Sequence, residues 1–232
     1  MSETRMIETD SVRHELVSDG SGGARPGVIL FPTVMGITDL ELGFAGRLVE
    51  QGYAVLLADL YGRRFTLDQR GEAMAAMQGL REDRAALRDR LLGVLGAAIE
   101  QDAIDDDQVA AIGFCFGGQN ALDLARSGAD IACVASFHGL FDPPGLPAQP
   151  IKAKVAAYHG WDDPLVPPDA VVALAGELTE AGCDWQIHAF GHVGHGFTNP
   201  GATGAMPGIK FDETTAKRAW AACDAFLAEC FA

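Results

Sequence analysis

The sequence predicts an α/β fold: a mostly parallel central sheet with helices on both faces. Three observations lead to this prediction. Short apolar runs rich in β-branched or aromatic residues recur along the chain, these runs are continuously apolar, and segments with helical spacing separate them. Continuous apolar strands joined by helical crossovers are typical of parallel sheets that are buried on both faces.

The predicted elements follow one another in regular order. Six short apolar runs indicate buried strands at residues 28–31, 53–57, 109–114, 131–137, 155–159 and 185–190. Five longer segments, in which apolar residues return every three or four positions, indicate helices at residues 40–51, 80–100, 118–126, 168–181 and 213–230. Strand and helix therefore alternate, and active sites of such sheets lie at the carboxyl ends of the strands.

Two glycine- and proline-containing segments interrupt this alternation. Residues 18–27 are predicted to be a loop before the first predicted strand. Residues 199–208 follow a histidine-containing segment, so they either fold over a pocket or form an irregular surface connection. The length of 232 residues, without a repeat or a linker-like stretch, favours a single domain over residues 1–232.

Composition excludes several classes of protein. The chain has 17 Lys and Arg against 32 Asp and Glu, and the resulting net charge of −15 disfavours binding to nucleic acid or to an anionic membrane surface. Its five cysteines form no CxxC pair, and the first ten residues lack the apolar core of a secretory signal. No apolar run approaches membrane-spanning length. These observations predict a soluble cytoplasmic protein; they leave its oligomeric state open.

Cys115 lies in the sequence context of a nucleophile elbow. It follows the predicted strand at 109–114 and precedes a predicted helix, with Gly113 and Gly117 two residues away on either side. Glycines at these positions let strand and helix approach closely around a strained central residue. The helix N-terminus favours a thiolate and an oxyanion. The alternative is that Cys115 is a small buried apolar residue, as we expect for the other four cysteines.

A thiol nucleophile needs a base and an orienting acid, and the ends of later strands supply candidates for both. Asp162 and Asp163 follow the strand at 155–159, and His192 and His195 follow the strand at 185–190. Considered singly, an Asp-Asp-Pro loop is also a common turn, and a histidine between glycines is commonly solvated. The HxxH spacing lacks the Glu of HExxH and has no partner cluster, so no metal is expected. No nucleotide-binding motif occurs.

Several motifs together resemble the dienelactone hydrolase family, a branch of the α/β-hydrolases with a Cys-Asp-His triad. They are Gly-Phe-Cys-Phe-Gly-Gly at 113–118, His-Gly-Trp-Asp-Asp-Pro-Leu-Val-Pro at 159–167 and Gly-His-Gly-Phe at 194–197, with weaker matches at 51–55 and 58–63. The resemblance covers residues 27–230 and leaves the first 26 outside. It implies an α/β-hydrolase fold, with Cys115 as nucleophile, Asp163 as acid and His195 as base.

The chain departs from the family pattern at two positions. Thr33 stands where well-studied members carry a Glu that holds the resting thiol, and Asn199 stands where they carry an Arg that binds the substrate carboxylate. Arg63, Arg64 and Arg70 could receive an anionic group but are expected to be solvated surface charges. These departures predict a preference for neutral substrates.

The predicted function is hydrolysis of small carboxylic esters or lactones without a cofactor. Cys115 would form a thioester, and the backbone N–H groups of Phe116 and Val34 would form the oxyanion hole. The substrate-binding side chains are not identified from the sequence. The alternatives are a thioesterase or acyl transferase, and a catalytically silent binding protein on the same fold.

Overall fold

The computed structural model describes residues 2–9 and 12–232. Its centre is an eight-stranded sheet with the strand order β1-β2-β4-β3-β5-β6-β7-β8. The strands are β1 (Glu3–Thr9), β2 (Val12–Ser18), β3 (Arg25–Phe31), β4 (Ala54–Leu57), β5 (Ile104–Phe114), β6 (Cys133–Phe137), β7 (Lys154–Gly160) and β8 (Trp185–Phe190). From β4 to β8 every neighbouring pair is parallel, whereas β1 and β2 pair antiparallel. The predicted mostly parallel sheet is confirmed.

Helices cover both faces of this sheet, as predicted. They are α1 (Asp39–Glu50), α2 (Arg70–Glu82), α3 (Arg84–Ile99), α4 (Phe116–Arg126), α5 (Pro168–Glu180) and α6 (Glu213–Cys230), with a short 3-10 helix at Leu67–Gln69 before α2. Helices α1 and α6 share one apolar cluster with one face of the strands, and α2 to α5 share a second cluster with the other face. The sheet therefore supplies two cores, one on each side.

The structure differs from the sequence-based prediction at the N-terminus. The predicted strand at 28–31 begins at Arg25, so the predicted loop at 18–27 is shorter, and the chain before it forms the antiparallel strands β1 and β2. Strand β1 lies at the edge of the sheet and is largely exposed, so its residues are mixed polar and apolar and lack the continuous apolar signal of a buried strand.

The helix predicted at 80–100 is also revised. Two helices occupy this region, α2 and α3, and they meet at Asp83. The Asp83 side chain accepts a hydrogen bond of 2.9 Å from the backbone N–H of Ala86 and so caps the start of α3. No glycine or proline marks this break, and the surrounding residues are good helix formers, which explains why the sequence pattern runs through it.

The loops that leave the carboxyl ends of the parallel strands collect at one edge of the sheet. Residues 32–38 follow β3, Cys115 follows β5, His138 follows β6, residues 161–167 follow β7 and residues 191–202 follow β8. A small hairpin, β9 (Thr203–Met206) and β10 (Ile209–Lys210), continues from the last of these loops. Within the part of the chain that the structure describes, no helix combines the length and apolarity needed to cross a bilayer.

Candidate active site

Cys115 sits at a sharp turn between β5 and α4. Its backbone has φ 56°, a left-handed conformation that is unusual for a residue other than glycine. A Cβ at Gly113 would overlap the backbone of Gly117, and one at Gly117 would overlap the backbone of Phe31. Both glycines are therefore needed for strand and helix to approach this closely, and the predicted elbow geometry is present.

His195 and Asp163 form a buried pair beside this turn. The Nδ1 of His195 lies 2.7 Å from the Oδ2 of Asp163, and both side chains are at most 5% exposed. The backbone holds each partner: His195 N–H donates to Gly208 O over 2.7 Å, and Leu165 N–H donates to Asp163 Oδ1 over 2.8 Å. The Nε2 of His195 is buried without a hydrogen-bond partner among the described residues, and Cys115 lies on the same cavity wall.

Asp162 and His192 lie apart from this pair. The His192 side chain is fully exposed, and its Nδ1 is 3.8 Å from a carboxylate oxygen of Asp162, which is itself more than half exposed. The structure thus distinguishes the two aspartates and the two histidines that sequence spacing alone leaves equivalent.

The thiol of Cys115 and the imidazole of His195 have opposite pKa shifts. Burial opposes ionisation of the thiol, but the charge of His195, a hydrogen bond with it and the N–H groups of Phe116 and Val34 outweigh burial, so the pKa of Cys115 is lowered. Burial also opposes the charge on His195, yet Cys115 and Asp163 together raise its pKa to about 10. Both shifts favour the thiolate form of Cys115 and the imidazolium form of His195.

A cavity of about 380 Å³ opens onto Cys115 and His195. Most of its side-chain lining is apolar and much of it is methionine: Met35, Met74, Met77 and Met206 are four of the six methionines of the chain. Residues 201–206 of the last loop and the hairpin cover one side, so of the two alternatives for residues 199–208 the structure shows the one in which they fold over a pocket. A larger cavity of about 830 Å³, next to residues 143–149, contains none of the candidate catalytic residues.

Arg70 is the basic side chain on the wall of this cavity. It is exposed, as expected, and its Nη2 lies 3.7 Å from the sulfur of Met206 on the covering hairpin. Arg70 is therefore an exposed charge, as expected, and of the three arginines considered it is the one that lies on the cavity wall. Arg63 pairs with Glu72, and Arg64 pairs with Glu15 and donates to the carbonyl of Ile37 over 2.6 Å, so neither faces the cavity.

His138 is a second histidine on the cavity wall. Its Nε2 lies 2.8 Å from Thr198 Oγ1, and its ring centre is 5.0 Å from that of His195. Burial and the neighbouring charge of His195 hold the pKa of His138 well below its usual value. The lowered pKa favours the neutral form of His138, whose Nε2 is already engaged with Thr198.

Among the described residues, the one group of possible metal ligands lies away from this cavity. Three neighbouring carboxylates, Asp105, Asp106 and Asp107, come within 4.8 Å of one another on β5, and two of the three residues are exposed. The cavity wall carries no such group of three. The expectation that the chain needs neither metal nor cofactor stays a prediction.

The sequence pattern does not reveal two structural features around the cavity. The pocket-lining face of α2, with Arg70, Met74 and Met77, lies in a segment assigned to no element until residue 80. The spacing of these three residues, four and then three positions apart, is the helical signal that identifies one face. The second feature is the buried carboxylate of Glu41, which the predicted helix 40–51 contains as an ordinary first-turn acid.

Known proteins are similar to this chain over most of its length. A family model described as the dienelactone hydrolase family matches residues 16–231. An uncharacterised protein of Caenorhabditis elegans is 35% identical over 63% of this chain and 95% of its own length. The carboxymethylenebutenolidase of Pseudomonas putida is 26% identical over 82% of both chains.

Solved structures agree with the sequence matches. A dienelactone hydrolase-like promiscuous phosphotriesterase from metagenomic libraries has a TM-score of 0.90 and 34% identity, covering 100% of this chain and 99% of its own. An α/β hydrolase from a deep-sea metagenome, at 18% identity and a TM-score of 0.65, supports the fold alone. With the family match over residues 16–231, these findings establish that the chain has the α/β-hydrolase fold and belongs to the dienelactone hydrolase family of ester and lactone hydrolases.

Proposed function

We propose that the chain hydrolyses small carboxylic esters or lactones through a thioester on Cys115. One observation carries this proposal: a thiol at a strained strand-to-helix turn adjoins an imidazole whose other nitrogen lies 2.7 Å from a buried carboxylate. This arrangement matches what nucleophilic acyl transfer requires, namely an activated nucleophile, a base and a group that orients the base.

The first half of the reaction acylates the enzyme. The Cys115 thiolate attacks the carbonyl carbon, a C–S bond forms, and the carbonyl electron pair moves to oxygen. The backbone N–H groups of Phe116 and Val34, which already stabilise the thiolate, would hold this oxyanion. Collapse of the intermediate breaks the C–O bond, and His195 gives its Nε2 proton to the leaving alkoxide.

The second half releases the acid. Water attacks the thioester carbonyl while His195 accepts its proton, and collapse of the second tetrahedral intermediate expels the Cys115 thiolate. Asp163 keeps the imidazole in the tautomer that presents Nε2 to the substrate and stabilises the imidazolium. An ester yields an acid and an alcohol, and a lactone yields one hydroxy acid.

The lining of the cavity points to the kind of substrate. Apolar and methionine side chains favour an uncharged acyl or alcohol part, and the flexible thioether adapts to different shapes. A thioesterase or acyl transferase acting on acyl-CoA is the alternative. CoA carries several phosphates, whereas Arg70 is the one Lys or Arg on the described cavity wall, so the wall offers little to bind them.

The cytoplasmic location stays a prediction, favoured by five free thiols.

A second candidate activity is hydrolysis of neutral phosphotriesters. The structural relative described as a promiscuous phosphotriesterase is 34% identical to this chain over its whole length. The same thiolate could attack phosphorus and displace an aryloxide, and the largely uncharged cavity suits a triester. Hydrolysis of diethyl 4-nitrophenyl phosphate by the native protein and its Cys115→Ala variant tests this activity.

The decisive experiment follows the acyl-enzyme directly. Short-chain 4-nitrophenyl esters and a γ-lactone are offered to the native protein, to Cys115→Ala and to a matched control, Cys183→Ala, which changes another partly exposed cysteine outside the cavity. We expect Cys115→Ala alone to lose turnover by more than ~10³-fold. Acid-quenched mass spectrometry should find the acyl mass on the peptide with Cys115.

Turnover retained in Cys115→Ala would refute the mechanism. A native protein that hydrolyses none of the esters, yet is labelled at Cys115 by a thiol-reactive probe, would favour a silent binding protein.

A further inference from the structure

Glu41 is a buried carboxylate that the proposed mechanism does not use. It is the third residue of α1 and is 0% exposed. Its Oε1 accepts hydrogen bonds from the N–H and the hydroxyl of Thr33, over 3.1 and 2.9 Å. Its Oε2 accepts from the N–H and the hydroxyl of Thr38, over 3.0 and 2.5 Å. Four neutral donors thus surround this buried acidic group, and no Lys or Arg in the described part of the chain forms an ion pair with it.

Helix capping explains only half of this arrangement. Thr38 and Glu41 form a capping box at the start of α1. The Thr38 hydroxyl accepts a hydrogen bond from the backbone N–H of Leu40, and the Glu41 carboxylate accepts one from the backbone N–H of Thr38. Thr33 lies five residues before the N-cap and has no part in a capping box. The two bonds to Thr33 therefore tie the beginning of the loop at 32–38 to the same carboxylate that holds its end.

This tie fixes one particular peptide group. The carbonyl of Thr33 accepts a hydrogen bond of 3.0 Å from Gly36 N–H, which closes a tight turn. Because a trans peptide is planar, the N–H of Val34 points away from that carbonyl. The hydroxyl of Tyr61 donates to the carbonyl of Val34 over 3.1 Å and holds the next peptide as well. The peptide groups before and after Val34 are therefore both held by hydrogen bonds, and together they fix the direction of the Val34 N–H.

We propose that Glu41 is a positioning residue for acyl transfer: by holding Thr33 and Thr38 it fixes the Val34 N–H where the oxyanion develops. The inference depends on the proposed function, because the group that it positions is a donor of the proposed oxyanion hole. Oxyanion stabilisation depends on donors that are fixed before the charge develops. If the loop were released from Glu41, the site would keep its thiol and its base, but the Val34 N–H would no longer be directed at the oxyanion.

The test compares two reactions of the same thiol. Ester hydrolysis develops an oxyanion, whereas alkylation by iodoacetamide displaces iodide and develops none. Glu41→Gln keeps the shape of the side chain but replaces one acceptor oxygen with an NH₂ group that faces donors. We expect kcat for a 4-nitrophenyl ester to fall by ~10- to 100-fold with KM changed less than about 3-fold. The plateau rate of Cys115 alkylation, measured where the thiol is fully ionised, should change less than about 3-fold.

A matched variant separates positioning from helix capping. Asp83→Ala removes the side-chain cap of α3, outside the cavity wall, and should leave kcat unchanged. Thr33→Val breaks the hydroxyl bond to Glu41 without touching the capping box, so it tests the same tie if Glu41→Gln fails to fold. Thr33→Ser restores the hydroxyl and should recover at least 5-fold of the kcat that Thr33→Val loses.

Two results would overturn the inference. One is a folded Glu41→Gln or Thr33→Val protein with kcat within 2-fold of native. The other is an equal fall in hydrolysis and alkylation, which would mean general damage to the site. Failure of the proposed function looks different, because in that case Cys115→Ala itself retains turnover.

Discussion

His195 and His192 are three residues apart but differ in what surrounds them. His195 is buried against Asp163, and His192 is fully exposed near Asp162. We predict that His195→Ala lowers kcat by more than ~10²-fold, because it removes the general base. His192→Ala is the matched control and should retain most of the activity. Steady-state kinetics on a 4-nitrophenyl ester measure both, and a larger loss in His192→Ala would mean that the wrong histidine has been chosen.

The thiol of Cys115 should react at lower pH than an ordinary cysteine. Burial raises the pKa of this thiol, but the charge of His195 and the neighbouring hydrogen bonds lower it further, so the net shift is downward from 9.0. The thiolate therefore persists as pH falls below 9.0 and is lost only when pH falls through the lowered pKa. At the alkaline end the imidazolium is lost as pH rises through about 10. Iodoacetamide alkylation of Cys115, followed by peptide mass spectrometry across pH, should therefore have its midpoint below pH 9.

Removal of the cation is the control for this profile. In His195→Ala the inflection of Cys115 alkylation should move to higher pH, since the largest stabilising influence on the thiolate is gone. Cys183, whose pKa burial raises, should react more slowly than Cys115 at every pH below 9. Equal labelling of the two cysteines by limiting reagent would contradict the assignment.

At the scale of elements, the contact between α4 and the strands leaves no room for a side chain. A Cβ at Gly117 would overlap the carbonyls of Phe31 and Pro32, whereas Gly176 on the exposed face of α5 has open space around it. We predict that Gly117→Ala destabilises the fold by about 3 kcal/mol, and that Gly176→Ala stabilises it by about 0.5–1 kcal/mol. Urea unfolding followed by circular dichroism measures both values.

The same unfolding curves test the domain prediction. If residues 1–232 form one domain, as the length predicts, the transition of the native protein should be single and should coincide for circular dichroism and tryptophan fluorescence. Two separated transitions would contradict a single domain.

A Gly117→Ala protein as stable as the native one would contradict the predicted destabilisation. It would mean that strand and helix can separate at the elbow without cost.

Elements that carry a strong local signal are predictable here, and those without one are not. Five of the six predicted strands are buried, continuous apolar runs, so their existence follows from the sequence. The sixth, predicted as buried at 185–190, is β8, which lies at the edge of the sheet, is only partly buried and contains polar residues. Strand β1 is exposed and pairs with β2, and β2 in turn pairs with β4. The strand conformation of both segments therefore depends on tertiary pairing. The break at Asp83 depends on one capping bond within a helix-favouring segment.

The candidate site follows the same rule. Cys115 is identifiable because its two glycines and the adjoining elements are local in sequence. Spacing alone does not decide between Asp162 and Asp163, since only the path of the loop determines which carboxylate is buried. Glu41 has a local signal, the Thr-x-x-Glu pattern of a capping box, but its contact with Thr33 depends on how the loop returns.

At the scale of the whole molecule, two electrostatic influences act on an anionic substrate. The net charge of −15 slows its approach, most strongly at low salt, while Arg70 attracts it at the cavity. We predict that kcat/KM for a neutral lactone exceeds that for a matched carboxylated lactone, and that the gap narrows as salt rises. Arg70→Gln should widen the gap by several-fold, a small effect because Arg70 is exposed.

Arg63→Gln is the control for this comparison. Arg63 carries the same charge but pairs with Glu72 outside the cavity wall, so its removal changes the net charge without changing the wall. An equal effect of the two substitutions would show that only net charge matters. A native protein that strongly prefers the carboxylated lactone would overturn the predicted preference for neutral substrates.

The concentration of methionine around the cavity makes the substrate pocket vulnerable to peroxide. Oxidation of Met74 or Met206, both partly exposed, would turn a soft apolar thioether into a polar sulfoxide on the wall of the proposed substrate cavity. We expect such damage to raise KM. It should survive treatment with dithiothreitol, which repairs a reversibly oxidised thiol, and should be reversed by methionine sulfoxide reductase. Loss of activity during storage in air would then have two chemically separable origins, one at the nucleophile and one in the walls around it.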